Sequence, residues 1–474
     1  MRSLAVIFKR KIFEELKEWK ELDDGRTALL IEGARRVGKT TVSVEFARTE
    51  YKSFIIIDFS EMNEDLMDLF TNHASDLDVF FRRLQLSFGV KLHERKSVII
   101  FDEVQMFPRA RQMIKSLVKD RRYDYIETGS LISLRKNVID IRIPSEEHVI
   151  EMHPMDFEEW MWANGKETTY EMLKTSFESR MPLGLHAHKA LMEEFRTYMV
   201  VGGMPQAVDR FVETNDYMSA ERVKNNILKL YESDIMKLPD KARNQAYSLL
   251  HSIPANLSSQ KKTFSPGRIM KGARSRSFTW AIDWFIKAKI INPCFLCNDP
   301  DTAMALTRDA SRLKLYFLDT GLLMTLAFGS DKKMLEEAYR NLIAGRLSIN
   351  EGMFFENVVA QQLAVRNCEL YFHEFREGGS QLYEIDFIIP DAKGIIPIEV
   401  KSSVSSKHRS LDLFMKKYRT RIKQTYVVHA KDLREDGGIT YIPVYMTGLL
   451  RRFRYRAGTN HRRHLSVHNA CYSA

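Results

Sequence analysis

The chemistry in this 474-residue chain starts at Gly33-Ala-Arg-Arg-Val-Gly-Lys-Thr40, a complete G-x-x-x-x-G-K-[ST] phosphate loop. The apolar run Thr27-Ala-Leu-Leu-Ile31 before it reads as a buried strand, and a helix is expected from about Lys39. Gly33 and Gly38 permit φ values that other residues resist, so backbone N–H groups can converge on phosphate oxygens. The helix adds its positive N-terminal dipole. Lys39 would reach the β- and γ-phosphates, and Thr40 would offer its hydroxyl to Mg²⁺. The residues expected around a bound nucleoside triphosphate are Gly33, Ala34, Arg35, Arg36, Val37, Gly38, Lys39, Thr40 and Thr41.

Asp102-Glu103, at the end of the apolar run Ser97-Val-Ile-Ile-Phe101, completes this constellation. Asp102 is placed to hold Mg²⁺, commonly through water. Glu103 can polarise the water that attacks the γ-phosphate, so the paired acids argue for hydrolysis. Thr128 and Ser130, after a fourth apolar run, can sense the γ-phosphate if that strand lies between the other two. No arginine finger is evident; Arg135 is the nearest candidate, and a neighbouring subunit of a homo-oligomer could supply one.

A second acidic constellation lies in Tyr383-Glu-Ile-Asp-Phe-Ile-Ile389 and Gly394-Ile-Ile-Pro-Ile-Glu-Val-Lys401, two strands around a short turn. If Pro390 faces Ile395, Asp386 lies opposite Glu399 and Glu384 opposite Lys401. Facing carboxylates repel in an apolar hairpin unless something offsets them. A divalent cation on Asp386 and Glu399 would do so, with Lys401 activating water or stabilising phosphate charge. Glu356, on the apolar stripe of a helix over Glu351-Gly-Met-Phe-Phe-Glu-Asn-Val-Val359, is a further metal ligand in that reading. The alternative is an internal ion-pair cluster around Lys401 that staples the hairpin.

The elements that position these residues divide the chain. Residues 1–160 alternate short apolar strands with helices, which implies a parallel sheet covered on both faces. Residues 161–240 read as a helical lid with a hinge at Gly202-Gly203. Residues 241–330 show helix, basic turn, helix and strand, the order of a winged helix, with Lys271, Arg274 and Arg276 where DNA phosphates would lie. Such a domain also serves as a protein-interaction module. Residues 345–448 form a small α/β unit, and 449–474 a basic tail containing Arg451-Arg-Phe-Arg-Tyr-Arg456.

Composition sets the outer bounds. A net charge of +10 permits an anionic macromolecular partner without requiring one. No apolar run approaches the roughly 20 residues of a bilayer span, so no membrane role is expected. Four cysteines exclude a disulfide scaffold and point to the cytoplasm; Cys294-Phe-Leu-Cys297 lacks the second pair that zinc needs.

With these residues in place, the chain resembles a large prokaryotic family of ATP-binding proteins that joins an AAA-like ATPase domain, a winged helix and a C-terminal domain of unknown function. The resemblance runs over roughly residues 25–448. It rests on the phosphate loop, Phe-Asp-Glu-Val-Gln105, Thr-Gly-Ser130, Gly-Gly-Met-Pro205, Phe-Leu-Asp-Thr-Gly321 and Glu-Val-Lys401. It implies ATP and Mg²⁺ at Lys39, Thr40, Asp102 and Glu103. The C-terminal part is similar to PD-(D/E)xK nucleases, whose helical glutamate, aspartate and acid-x-lysine pair correspond to Glu356, Asp386, Glu399 and Lys401; Ile385 stands where the motif's proline is usual. The expectation is an Mg²⁺-dependent ATPase coupled to a DNA-acting winged-helix and nuclease-like module. The alternative is an ATP-driven switch controlling a protein partner, with the nuclease-like domain inactive.

Overall fold

The computed structural model describes residues 7–129, 146–269, 275–329, 331–346, 351–401 and 408–450. Ser130, Arg135, Lys271, Arg274, the side chain of Arg276 and the basic tail lie outside the described residues.

The first sheet contains β1 (Ala28–Glu32), β2 (Ser53–Asp58), β3 (Ser97–Asp102), β4 (Asp124–Gly129) and β5 (Glu147–Glu151). Its order is β2-β3-β4-β1-β5, and every pairing is parallel. Period-2 alternation sends Leu29, Ile31, Val98, Ile100 and Ile126 into one hydrophobic cluster, which they share with Val42 and Phe46 of the helix Lys39–Glu50. Ile99, Phe101 and Tyr125 go to the other face, beneath the helices Leu77–Phe88 and Pro108–Asp120. Both faces are therefore buried, as near-continuous apolar strands require. The N-terminal helix Ile12–Asp23 buries Ile12, Leu16 and Trp19 against the outside of this layer, with Phe13 edge-on to Phe46 at 5.4 Å.

Helices fill residues 157–258, the last two being Tyr217–Met236 and Asp240–Ser258. A 3₁₀ turn at Pro266–Arg268 and the helix Ser275–Lys287 follow, then the hairpin β6 (Ile291–Cys297) and β7 (Arg308–Phe317). This hairpin does not stand apart. It joins β8 (Leu370–Arg376), β9 (Leu382–Asp391), β10 (Gly394–Val400), β11 (Thr425–His429), β12 (Arg434–Asp436) and β13 (Ile439–Pro443) in one sheet, ordered β12-β13-β11-β10-β9-β8-β6-β7. The seam is the parallel β6–β8 pairing, so the helical segment before it is anchored to the C-terminal sheet.

Gly202 and Gly203, expected as a hinge, are buried in a tight junction. Asp319 accepts the N–H of Gly203 at 2.6 Å and caps the helix Thr320–Phe328 through the N–H of Leu322 at 2.9 Å. The N–H of Met155 donates to Gly203 O at 2.7 Å. A Cβ on Gly203 would lie 2.0 Å from the Met155 carbonyl oxygen, and one on Gly321 would lie 2.6 Å from the Gly202 nitrogen. Both glycines are there for close backbone approach. Gly203→Ala is expected to destabilise the chain by about 1–3 kcal/mol through overpacking, measurable as a lowered midpoint of denaturant unfolding with an unchanged m-value.

Candidate functional site

β1 runs into the phosphate loop, and the helix starts at Lys39. Gly38 sits at φ 102° and Arg36 at φ 70°. Gly33 is needed for a different reason from the one expected: a Cβ there would lie 2.3 Å from the Met152 carbonyl oxygen at the end of β5. The Lys39 ammonium is buried and donates to Gly33 O and Ala34 O, both at 2.9 Å. Burial lowers its pKa to about 8, against the opposing pull of Glu103 and Asp102.

Asp102 gathers the remaining polar groups. Thr40 Oγ1 donates to Asp102 Oδ1 at 2.8 Å and Oδ2 at 3.0 Å, and Thr128 Oγ1 donates to the same carboxylate from β4. The condition set for Thr128 is met, because β4 lies between β1 and β3. Glu103 occupies the left-handed region at φ 52°, and its carboxylate accepts from Gln105 Nε2. A hydroxyl beside a carboxylate at the start of a helix suits Mg²⁺, a hard cation that takes oxygen ligands.

Three residues that hold the loop were not anticipated. Arg10 Nη1 donates to Val37 O at 2.9 Å, Tyr231 OH donates to Arg35 O at 3.0 Å, and Arg35 pairs with Asp234 at 3.0 Å. Tyr231 and Asp234 lie on the helix Tyr217–Met236, so the loop is gripped by an element far away in sequence. Nothing local in the sequence distinguishes these positions.

In the second constellation Ile395 pairs with Pro390 and Ile398 with Phe387, the register on which the acid pairing was based. Asp386 Oδ2 accepts the N–H of Val400 at 2.8 Å, which sets it beside Glu399. Lys401 Nζ donates to Glu399 Oε1 at 2.6 Å, while the buried Glu399 Oε2 has no hydrogen-bond partner. Burial and then Asp386 push the Glu399 carboxyl up to about 8. Glu356 is raised by the same two causes in the same order. It accepts from Tyr316 OH at 3.1 Å and is ion-paired with Lys262. Its helix, Glu351–Ala364, is pinned to β7 by Asn357, which accepts the Phe317 N–H at 2.7 Å.

Glu384 is not paired with Lys401. It holds the fully buried Lys314 Nζ at 2.6 Å. Burial works against the Lys314 charge, but Glu384, Glu356 and Asp386 hold its pKa above the ordinary value. A lysine inside the apolar run Leu313-Lys-Leu-Tyr-Phe317 was the signal that could have revealed it. Lys262 and Tyr316 carried no such signal. Carboxylate oxygens such as those of Asp386, Glu399 and Glu356 are the ligand type a divalent cation takes. Among the described residues, however, no three acidic, histidine or cysteine side chains are grouped closely enough to hold one. Cys294 and Cys297 are buried free thiols.

Residues 25–161 match the family model described as AAA domain. That stretch is similar to AAA-type ATPase domains, which supports nucleotide binding there. Residues 192–333 and 351–446 match two models described as Domain of unknown function, DUF8612 and DUF4143 respectively. No curated protein matches the chain. Among solved structures, a Signal Transduction ATPase with Numerous Domains carrying a tetratricopeptide repeat sensor, from Pyrococcus horikoshii, is 13% identical with a TM-score of 0.26. That match covers 77% of this chain and 50% of the other, so the chain spans about half the length of that relative. The Thermotoga maritima RuvB Holliday junction branch migration motor is 11% identical, with coverage of 61% and 91% and a TM-score of 0.27. A Vibrio cholerae protein is 11% identical, with coverage of 89% and 95% and a TM-score of 0.18. Likenesses this distant assign no function. No helix among the described residues is long and apolar enough to cross a membrane.

Two pH dependences follow. ATP affinity is expected to fall as pH rises through about 8, where Lys39 loses its charge; Lys39→Met should bind weakly and lose this dependence, as read by titration of a fluorescent nucleotide. Glu399 has a folded pKa of about 8, raised from 4.5, so the folded state holds its proton more tightly than the unfolded chain. Its contribution to stability is present below 4.5 and lost as pH rises through about 8. Glu399→Gln should therefore show a smaller loss of stability between those limits, and a higher melting temperature on the alkaline side.

Proposed function

We propose that this chain is an Mg²⁺-dependent ATPase whose nucleotide state is coupled to a C-terminal metal-dependent site acting on DNA. One observation carries the ATPase half: Asp102 joins Thr40 of the phosphate loop to Thr128 of the strand between them. In this reading the loop from Gly33 to Thr41 cradles the phosphates. Lys39 would leave its carbonyl partners for the β- and γ-oxygens, and Thr40 and Asp102 would hold Mg²⁺ through oxygen. Bound Mg²⁺ neutralises charge on the transferring phosphoryl group. Glu103 orients the attacking water and takes its proton.

The nuclease half is supported by the Asp386–Glu399 juxtaposition, the orphaned Glu399 oxygen and Lys401 beside it. In that reading Asp386 and Glu399 would hold a divalent cation, which would lower the pKa of a bound water. Lys401 would then stabilise charge on the scissile phosphate. The helix–turn–helix–hairpin order of residues 240–317 supports a winged helix that would present DNA to this sheet, with the basic tail as a further phosphate contact. Coupling is supported by the grip of Tyr231 and Asp234 on the phosphate loop. A homo-oligomer would supply an arginine finger, and the cytoplasm is the proposed location.

A second reading has its own support. Lys262 and Lys401 already pair with Glu356 and Glu399, as in an ion cluster that only staples the fold. The protein would then be an ATP-driven switch acting on a protein partner.

Glu103→Gln is expected to keep ATP binding while turnover falls by about 10²–10⁴-fold; preserved turnover would remove Glu103 from the reaction. Labelled single-stranded, duplex and branched DNA incubated with Mg²⁺ or Mn²⁺, with and without ATP, separates the two readings. Cutting by the wild type that is lost in Asp386→Ala supports the nuclease. No cutting with ATP turnover intact supports the switch.

A further inference from the structure

We infer that the Tyr231 hydroxyl and the Arg10 guanidinium are positioning groups for the phosphate loop: they hold two of its peptide planes from outside, so that the N–H groups of Arg36 and Gly38 are set to receive phosphate before any nucleotide arrives. This rests on the nucleotide-binding reading above and names the residues that make the loop ready.

A trans peptide is planar, and its C=O and N–H point in opposite directions. None of the described peptides is cis. Tyr231 OH donates to Arg35 O at 3.0 Å, which fixes the plane that carries the Arg36 N–H. Arg10 Nη1 donates to Val37 O at 2.9 Å, which fixes the plane that carries the Gly38 N–H. Among the described residues neither N–H has a backbone acceptor. Lys39 takes different carbonyls, those of Gly33 and Ala34. The carbonyls of Arg35 and Val37 are thus occupied from outside the loop, and their partner N–H groups face away from those outside donors.

Both planes need holding. Arg36 sits at φ 70°, in the left-handed region that a residue with a Cβ resists. The bond to the carbonyl just before it offsets that cost; without it the peptide relaxes towards the ordinary region and takes the N–H with it. Gly38, at φ 102°, has no Cβ to restrain its plane, so a donor from outside must do so. Each donor is itself fixed. Tyr231 is fully buried, and burial raises its phenol above the ordinary pKa, so the hydroxyl keeps its proton. Arg10 is buried too, with Nη2 donating to His153 O at 2.7 Å and Nε 3.1 Å from Glu159 Oε1. The rigid fork of a guanidinium is what lets one side chain span Val37 and the chain leaving β5. N–H groups already aimed bind an anion without the cost of ordering them first.

The test measures binding of a fluorescent ATP analogue with Mg²⁺ to the full chain, and its displacement by inorganic triphosphate, in wild type, Tyr231→Phe, Arg10→Met and Tyr51→Phe. Tyr51 also donates a buried hydroxyl, to Asp124 at 2.8 Å at the opposite end of β4 from Thr128, and serves as the control for a lost hydrogen bond. Tyr231→Phe and Arg10→Met are each expected to weaken the analogue at least about threefold, the effect of losing one ordinary hydrogen bond. Triphosphate should weaken by the same factor, and Tyr51→Phe should bind both as wild type does. A weakened analogue with unchanged triphosphate would place the effect at the base or sugar and overturn the inference. Wild-type affinity in Tyr231→Phe or Arg10→Met, or an equal loss in Tyr51→Phe, would reduce these groups to ordinary packing and overturn it as well. Where Arg10→Met does not fold, Tyr231→Phe, one oxygen smaller than the wild type, decides alone. These outcomes leave nucleotide binding standing. No binding by the wild type, or binding that Lys39→Met does not weaken, overturns the nucleotide-binding reading and the inference with it.

Discussion

The buried carboxylate of Asp319 is the group on which the arrangement of the molecule depends. A carboxylate with no exposed surface is tolerated only if its oxygens are hydrogen-bonded. Asp319 meets that demand from three separate parts of the chain: the Gly203 N–H, the Leu322 N–H and Gln361 Nε2 at 3.2 Å. Gly203 is bonded in turn to Met155, just beyond the last strand of the nucleotide sheet, and Gln361 lies on the helix that carries Glu356. One acid thus fixes the nucleotide domain, the helical middle and the C-terminal sheet relative to one another. Burial raises its pKa against the pull of the N–H donors, so each donor is needed.

That junction gives the two sites a shared frame. The phosphate loop touches β5 where Gly33 meets the Met152 carbonyl, and three residues on, Met155 meets Gly203. These contacts are backbone packing with no spare volume, and such packing transmits displacement because it does not deform gradually. The grip of Tyr231 and Asp234 on Arg35 forms a second, side-chain route that ties the loop to the helix Tyr217–Met236. The backbone route is rigid, while the side-chain route is made of an ion pair and a single hydroxyl bond.

Much of this was legible in the sequence. The strands β1 and β3 lie within a residue or two of the apolar runs that announced them, because a strand buried on both faces leaves an unbroken apolar signature. The hairpin register was legible for the same reason: a short Asp391–Gly394 turn and period-2 alternation leave few alternatives. The partners were not legible. Arg10, Tyr231, Asp234 and Lys262 reach their sites from elements with no motif of their own. The Gly202-Gly203 break reads as a hinge from composition, since sequence shows a missing side chain without showing what fills its place. The fusion of β6 and β7 with the C-terminal sheet was hidden likewise, because strand pairing at long sequence separation leaves no local trace.

Lysine at the two sites plays one part in two forms. Lys39 donates to two loop carbonyls, and burial brings its pKa close to neutrality, so it holds its charge with little margin. Phosphate oxygens offer the same ammonium full negative charge, so a triphosphate would both draw it away and restore its protonation. At the acid site the sign of the problem is reversed. There the fixed groups are carboxylates, and Lys262, Lys314 and Lys401 supply the opposing charge. At each site a lysine is held by oxygens within the fold: Lys39 by two loop carbonyls, Lys401 by Glu399.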